Sequence, residues 1–245
     1  MTGQNRFFIN LAHAGQQGRA PIIAEIKPFT PSSGDLLRGR DIVRIAEEYI
    51  DGGAACLSIV TGKWYGGNTA MLERLAACVD HPLLRKDFII NREQVRISKE
   101  MGAHAVLLTK RLLQKEHLDE LAAYAVSIDL MPFVEVAGEA EVTGYNPPAG
   151  SAVAVNNKDI RIRETDAPGI GKSLGLMSGI TKAKSVLYVS ASGVEAPSDV
   201  TQLLESGYDA VLIGTALLRT RCARTEMIRF ASGRDAALHE IGGRA

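Results

Sequence analysis

With 245 residues, 46% of them hydrophobic, the chain can bury one sizeable core, and no run approaches the roughly 20 apolar residues of a membrane-spanning helix. Lysine plus arginine total 28 and aspartate plus glutamate 28, so no overall field draws it to nucleic acid. Its three cysteines, Cys56, Cys78 and Cys222, form neither a CxxC pair nor an even disulfide framework, which makes a reducing cytoplasm the expected setting.

In chain order, residues 1–20 form a short N-terminal extension whose Phe7-Phe8-Ile9 is too brief for the apolar region of a signal peptide. Eight short runs with strand character follow: Ile22–Ile26, Cys56–Val60, Leu83–Arg85, Ala105–Leu108, Pro132–Val136, Ala152–Val155, Val186–Val189 and Ala210–Ile213. Helical patterns lie between them. Asp41 opens one with Ile42, Ile45, Ala46 and Tyr49 on a single face, and Asn68 and Asn91 stand as N-caps ahead of Leu72, Leu75 and Ala76, then Val95, Ile97 and Ser98. Gly52-Gly53, Gly102 and Gly207 each end a helical run just before a strand. Strands and helices alternating eight times over this length predict an α/β fold, a single (β/α)8 TIM barrel. Residues 21–218 form its core and 219–245 a charged helical tail. With no repeat or linker, 1–245 reads as one domain. The segment Arg161–Gly171 reads as a mobile lid or a fixed loop.

Such barrels place their chemistry at the C-terminal ends of the strands. Lys86, in Arg85-Lys86-Asp87, leaves the third strand out of an apolar wall, where a partly desolvated ammonium can be tuned as an acid; a plain surface strand end is the alternative. Glu25 and Lys27 are two residues apart and share one face, as an ion pair or an acid/base couple requires, though a structural salt bridge has the same spacing. The same list of strand ends holds Ser58 and Thr61, Asp87, Lys110 and Arg111, Glu135, Asn156-Asn157-Lys158, and Ser190. Ser192-Gly193 and Gly214-Thr215 follow the last two strands, with helices at Pro197 and near Ala216. Their unobstructed N–H groups suit a phosphate, or serve as ordinary turns.

The runs Glu25-Ile26-Lys27, Thr30-Pro31-Ser32-Ser33-Gly34, Leu57-Ser58-Ile59-Val60-Thr61, Leu84-Arg85-Lys86-Asp87-Phe88, Val134-Glu135-Val136, Asn156-Asn157-Lys158-Asp159 and Ser192-Gly193-Val194 resemble indole-3-glycerol phosphate synthases, in order and spacing, over about residues 21–218. The resemblance implies a lyase of tryptophan biosynthesis that closes 1-(2-carboxyphenylamino)-1-deoxyribulose 5-phosphate to the indole with loss of carbon dioxide and water, using no metal or organic cofactor. It implies a phosphorylated small molecule as partner, neither nucleic acid nor membrane, and names no protein partner. By the same resemblance Lys86 is the general acid and Lys27 a second active-site lysine. Glu135 stabilises cationic intermediates or moves protons, Glu25 pairs with the lysines, and Asn156 orients the substrate. Thr30, Gly193, Gly214 and Thr215 match the phosphate site, and Ser192 and Lys158 contribute to substrate binding.

Departures from the family pattern stand beside these matches. Ala191 replaces a glutamate after the seventh strand, so a carboxylate has become a methyl. Lys158 replaces an arginine and loses its bidentate fork, and Phe29 stands where a small or basic residue is common. The N-terminal extension is short, which implies a more open site. Three readings follow: a synthase with a rearranged proton relay, a paralogue acting on a different phosphorylated substrate in specialised metabolism, and an inert barrel that binds a phosphorylated ligand or a partner. Retention of Glu25, Lys27, Lys86 and Glu135 together argues against the last.

Overall fold

The computed structural model describes residues 5–159 and 169–232. Eight parallel strands, β1 (Ile22–Ile26), β2 (Cys56–Val60), β3 (Leu83–Lys86), β4 (Ala105–Thr109), β5 (Met131–Val136), β6 (Ala152–Asn156), β7 (Leu187–Ala191) and β8 (Ala210–Ile213), close into the expected barrel. Closure is through β1, which pairs with β2 by setting Glu25 opposite Ser58 and with β8 by setting Ile23 opposite Leu212. Around it lie α1 (Arg6–Gln16), α2 (Ile42–Asp51), α3 (Thr69–Cys78), α4 (Arg92–Glu100), α5 (Lys115–Ser127), α6 (Glu139–Val142), α7 (Gly171–Met177), α8 (Pro197–Glu205), α9 (Thr215–Leu218) and α10 (Ala223–Ala231). A small antiparallel ribbon, Phe29–Thr30 with Gly34–Asp35, follows β1.

The strands read as continuous apolar runs because both faces are buried, one against helices and one inside the barrel. Three helices start where the caps predict. Asp41 accepts from Val43 N–H (2.9 Å), Asn68 from Met71 N–H (3.1 Å) and Asn91 from Gln94 N–H (2.8 Å), each meeting a donor that the first helical turn leaves unused. The Gly52-Gly53 pair divides two tasks. Gly53 takes the left-handed turn at φ +96°, whereas a Cβ on Gly52 would stand 2.6 Å from Met227 Cβ, so Gly52 lets α10 approach α2.

Four strands run further toward their C-terminal ends than the sequence suggested, to Lys86, Thr109, Asn156 and Ala191. A polar residue reads as the end of an apolar run, but the ladder continues through it because the neighbouring strand still offers partners. Lys86 stands opposite Val60, Thr109 opposite Glu135, and Asn156 opposite Ala191. The polar residues are therefore on rigid strands and not on loops.

Inside the barrel, Ile23, Cys56, Leu84, Leu107, Phe133 and Val189 pack with their neighbours and with Phe7, Phe8, Leu11 and Ala14 of α1. Asn5 caps α1 at Phe7 N–H (2.9 Å), and its Nδ2 donates to the carbonyls of His104 (3.1 Å) and Asp129 (3.0 Å), just before β4 and β5. The N-terminal segment thus plugs the bottom of the barrel, at the end opposite the polar mouth. The tail is helical through Ala231, and residues 233–245 lie outside the described residues. Of the expected lid or loop, 161–168 lie outside them too, and Gly171 begins α7.

Candidate active site

Alternation along β1 sends Glu25 inward, and Lys27, one step beyond the strand, follows the same face. Glu25 is 1% exposed, with Oε1 3.3 Å from Lys27 Nζ and Oε2 3.1 Å from Lys86 Nζ. One buried carboxylate therefore bridges two ammonium groups from β1 and β3. Burial pushes its pKa up, but the positive charges of Lys86 and Lys27 outweigh that, and the carboxyl lies below its usual value. Glu25 is thus the ionised counter-charge of the pair.

Neighbouring Lys86, Arg85 points the other way, as strand alternation demands. Its guanidinium donates to Thr61 Oγ1 (3.2 Å), Ser98 Oγ (3.0 Å) and Asp87 Oδ2 (3.0 Å), and Thr61 donates to the same Asp87 oxygen (2.7 Å). This buried network locks the end of β3 to β2 and α4. Thr61 and Asp87 are its parts, and Lys86 projects into the barrel from a fixed backbone.

Lys27, Lys86 and Glu135 line a cleft of about 440 Å³, measured out to open solvent, with Trp64, Tyr65 and Phe88. Tyr65 lies under Lys27, 5.5 Å from Nζ to the ring centre, and Trp64 and Phe88 stand 5.9 Å apart at 42°. Trp64 is 66% exposed, the aromatic edge of the mouth. Sequence reasoning missed these three rings. The signal was present in the chain's single tryptophan, followed by Tyr65-Gly66-Gly67 directly after β2. A Cβ on Gly67 would stand 2.1 Å from Val60 carbonyl oxygen, so this loop folds tightly onto the strand and holds its aromatics over the mouth.

Asn156 and Asn157 separate as the Lys86 and Arg85 pair does. Asn156 is buried at the mouth, with Oδ1 accepting from Lys158 N–H (2.9 Å). Asn157 donates to Ser190 Oγ (3.1 Å) and to the carbonyls of Ala191 (3.2 Å) and Ser192 (3.0 Å), and accepts from Ser173 N–H (2.9 Å), so it joins β6 to β7 and α7. Ser190, bonded to Ser173 at 2.8 Å, belongs to the same outer network and not to the mouth. Lys110 and Arg111 also lie apart from the lysine pair. Lys110 donates to Glu141 carbonyl oxygen over the Tyr145 ring, with burial lowering its pKa, and Arg111 bridges Glu141 (2.9 Å) and Asp159 (3.5 Å). They stitch together the loops after β4, β5 and β6.

Of the residues expected at a phosphate, Thr30 is buried in the ribbon after β1, accepting from Ser33 N–H (3.1 Å). Ser192 and Gly193 are consecutive left-handed residues, φ +64° and +77°, after β7, and a Cβ on Gly193 would stand 2.2 Å from Gly169 carbonyl oxygen. Gly214 and Thr215 follow β8, where α9 starts. As β7, β8 and β1 are consecutive in the barrel, these loops are neighbours. Gly214 has a second task that the sequence did not reveal: a Cβ there would stand 2.7 Å from Glu25 Oε1, so its bareness seats the bridging carboxylate. Ala191 is 0% exposed, inward at the end of β7 and opposite Asn156.

The cluster is suited to proton transfer next to an aromatic substrate: two ammonium donors, a second carboxylate and a ring-lined wall. The family model described as indole-3-glycerol phosphate synthase matches residues 2–229. The chain is similar to indole-3-glycerol phosphate synthase 2 of Ralstonia nicotianae, 35% identical over 212 residues that cover 86% of this chain and 77% of the relative. It is also similar to indole-3-glycerol phosphate synthase of Thermococcus kodakarensis, 38% identical over 200 residues that cover 81% and 86%. Among solved structures, the tryptophan synthase subunit alpha from Legionella pneumophila aligns with a TM-score of 0.69 at 12% identity, over 95% of this chain and 99% of that one, a likeness of fold. By the family model and these relatives together, the chain belongs to the indole-3-glycerol phosphate synthase family.

Proposed function

We propose that this chain closes 1-(2-carboxyphenylamino)-1-deoxyribulose 5-phosphate to indole-3-glycerol phosphate, as a decarboxylating lyase of tryptophan biosynthesis. The observation that carries the reading is the Glu25 carboxylate held between Lys27 and Lys86, with Glu135 in the same aromatic cleft. The ring carbon bearing the carboxylate attacks the ketone, and Lys86 gives its proton to the ketone oxygen. Carbon dioxide then leaves, and its electron pair restores the aromatic ring. In the last step the new hydroxyl departs as water with a proton from the lysine pair, while a base takes a proton from the carbon next to nitrogen. Glu135, a carboxylate on the same cleft, serves as that base and balances the cationic nitrogen. These steps are proton transfers and charge stabilisation, tasks that lysine and glutamate perform. Asn156 and Lys158 orient the substrate. Thr30, Ser192, Gly193, Gly214 and Thr215 hold its phosphate through N–H groups and hydroxyls of neighbouring loops. The enzyme works as one barrel domain in the cytoplasm; among the described residues no helix is long and apolar enough to cross a membrane.

Fluorescence of the indole product tests the reading. The purified protein is expected to turn the carboxyphenylamino substrate over, and Lys86→Met to lower kcat by about 100-fold or more, the scale of a lost general acid. Binding of the substrate without any turnover by the unmodified protein would overturn the assignment and favour a different phosphorylated substrate.

A further inference from the structure

Two of the loops read above as the phosphate site, after β1 and after β8, meet at a pair of arginines that the chemistry leaves unused. The first loop runs as the ribbon Phe29–Thr30 with Gly34–Asp35, closed at its root by Leu36 N–H donating to Pro28 carbonyl oxygen (2.8 Å). It then turns through Arg38 and Gly39, consecutive left-handed residues at φ +51° and +74°. Glycine takes that backbone freely, but an arginine keeps it only where its surroundings hold it there. The partners lie where the chain leaves α9. Arg38 Nη1 donates to Arg219 carbonyl oxygen (2.9 Å), and Arg40 donates through Nη2 to that of Leu218 (3.0 Å) and through Nη1 to that of Thr220 (2.8 Å). Three consecutive carbonyls are thus met by two guanidiniums from far earlier in the chain. Arg40 also donates to the carbonyls of Leu36 (2.8 Å) and Leu37 (3.0 Å), so one planar fork joins the root of the ribbon to the end of α9.

The need for such a joint follows from the length of α9. It is a single turn, Thr215–Leu218, and so short a helix has too few hydrogen bonds of its own to keep its shape. Leu218 N–H reaches Gly214 carbonyl oxygen at 3.3 Å, and the last carbonyls of a helix have no partner inside it. The arginines supply those partners. At the other end of the turn, Gly214-Thr215 follows Ile213, which stands next to Ala24 in the ladder, so this turn is beside the strand from which the ribbon springs. Fixing the end of a one-turn helix fixes its start. Fixing the root of the ribbon fixes Thr30, which pairs with Gly34 across it.

We propose that Arg38 and Arg40 are positioning residues of the phosphate subsite, stapling the loop that carries Thr30 to the turn that carries Gly214 and Thr215. The inference rests on the phosphate site given under the proposed function and deepens it. Neither arginine touches the reacting atoms. A site whose two walls are already joined spares the ordering of two loops when the phosphate arrives, and that saving is read in affinity. Lys86, Glu25 and Glu135 project from strands of the barrel and not from these loops, so binding carries the effect and the chemical step does not.

The test measures steady-state kinetics on the carboxyphenylamino substrate, binding of inorganic phosphate by calorimetry, and melting temperature for Arg40→Lys, Arg40→Met and Arg38→Met. Lysine keeps the charge and loses the fork, so both Arg40 variants are expected to raise KM and the phosphate Kd about tenfold, with kcat within about threefold. Arg38→Met removes one exposed bond and is expected to raise both constants about threefold. A lower melting temperature with KM and phosphate Kd unchanged overturns the proposal and makes the arginines a plain cross-link. So does an Arg40→Lys protein that binds as the unmodified one does, which would leave charge as the only contribution, or a fall in kcat alone, which would put the effect on Glu25 through Gly214. If the unmodified protein binds inorganic phosphate but turns over no carboxyphenylamino substrate, the proposed function fails while the phosphate Kd of the variants still decides the staple. A protein that binds no inorganic phosphate overturns the staple together with the site it serves. If the Arg40 variants do not fold, Arg38→Met decides it.

Discussion

Glu25 concentrates the physics of the mouth at one residue. A carboxylate taken out of water is costly unless its partners are close, and removing one member of such a buried set commonly costs about 3–5 kcal/mol. Glu25→Gln leaves Lys27 and Lys86 facing each other without their counter-charge. The sign of the pH effect follows from the lowered pKa. A group that titrates below its usual value of 4.5 in the folded chain adds stability that is fully present above that value and is lost as pH falls through the folded one. Urea unfolding at about pH 6 and about pH 3 should therefore show a larger acid loss of stability in the unmodified protein than in Glu25→Gln. An equal loss in the two would mean that the bridge adds nothing. Gly214 gives a second residue-scale prediction. In Gly214→Ala the new methyl meets Glu25 at the oxygen (2.7 Å) and also at Cβ (3.2 Å), so rotation of the carboxylate alone does not relieve it. A displacement of that kind is expected to lower kcat by about 100-fold, with a melting temperature within a few degrees of the unmodified protein. Retained kcat would show that Glu25 tolerates a shift.

At the scale of elements, the strand ends are what make side chains into a site. Arg85 and Lys86 are adjacent in sequence and opposite in function: the guanidinium is spent on Thr61, Ser98 and Asp87, and the ammonium is offered to the mouth. The same division recurs at Asn157 and Asn156. Each pair fixes its outer member to a neighbouring strand or helix, and that fixes the backbone from which the inner member projects. The helix α1 works at the other end of the barrel. Phe7 and Leu11 are buried under the strands, in the apolar cluster that fills the barrel interior. Phe7→Ala is expected to cost about 3–5 kcal/mol of stability, as large-to-small changes in a packed core do, while kcat/KM measured well below the melting temperature stays within about twofold. Denaturant unfolding and steady-state kinetics on one preparation check both halves. A loss of activity at full folding would show that the plug is coupled to the mouth.

For the whole molecule, chemistry and packing are segregated along one axis. Apolar residues fill the barrel from α1 upward, and charge begins at the layer of Glu25, Lys86 and Glu135. The barrel was legible in the sequence because each strand is short, apolar on both faces and followed by a helical pattern, three of them opened by an N-cap side chain, so local pattern and global fold agree. Membership of the candidate cluster was also legible, since Glu25, Lys27, Lys86, Glu135 and Asn156 all lie within one residue of the end of a predicted strand. Less legible was which polar neighbours share that mouth. Thr61, Lys110, Arg111, Asn157 and Ser190 have the same address in the sequence and turn out to hold loops and strands together, while Asp87 does both, bonding Arg85 and Thr61 and lining the cleft. Trp64, Tyr65 and Phe88 went unseen because aromatic residues in a loop carry no periodic signal. The sequence by itself determined the number of strands, the caps that begin the helices and the charges available to the mouth, because these depend on residue type and spacing along the chain. Only the tertiary structure decided that Glu25 bridges two lysines, that Gly214 makes room for it, that α1 plugs the bottom, and that Ala191 is enclosed. Those facts depend on distances between residues far apart in the chain, which closing the barrel sets.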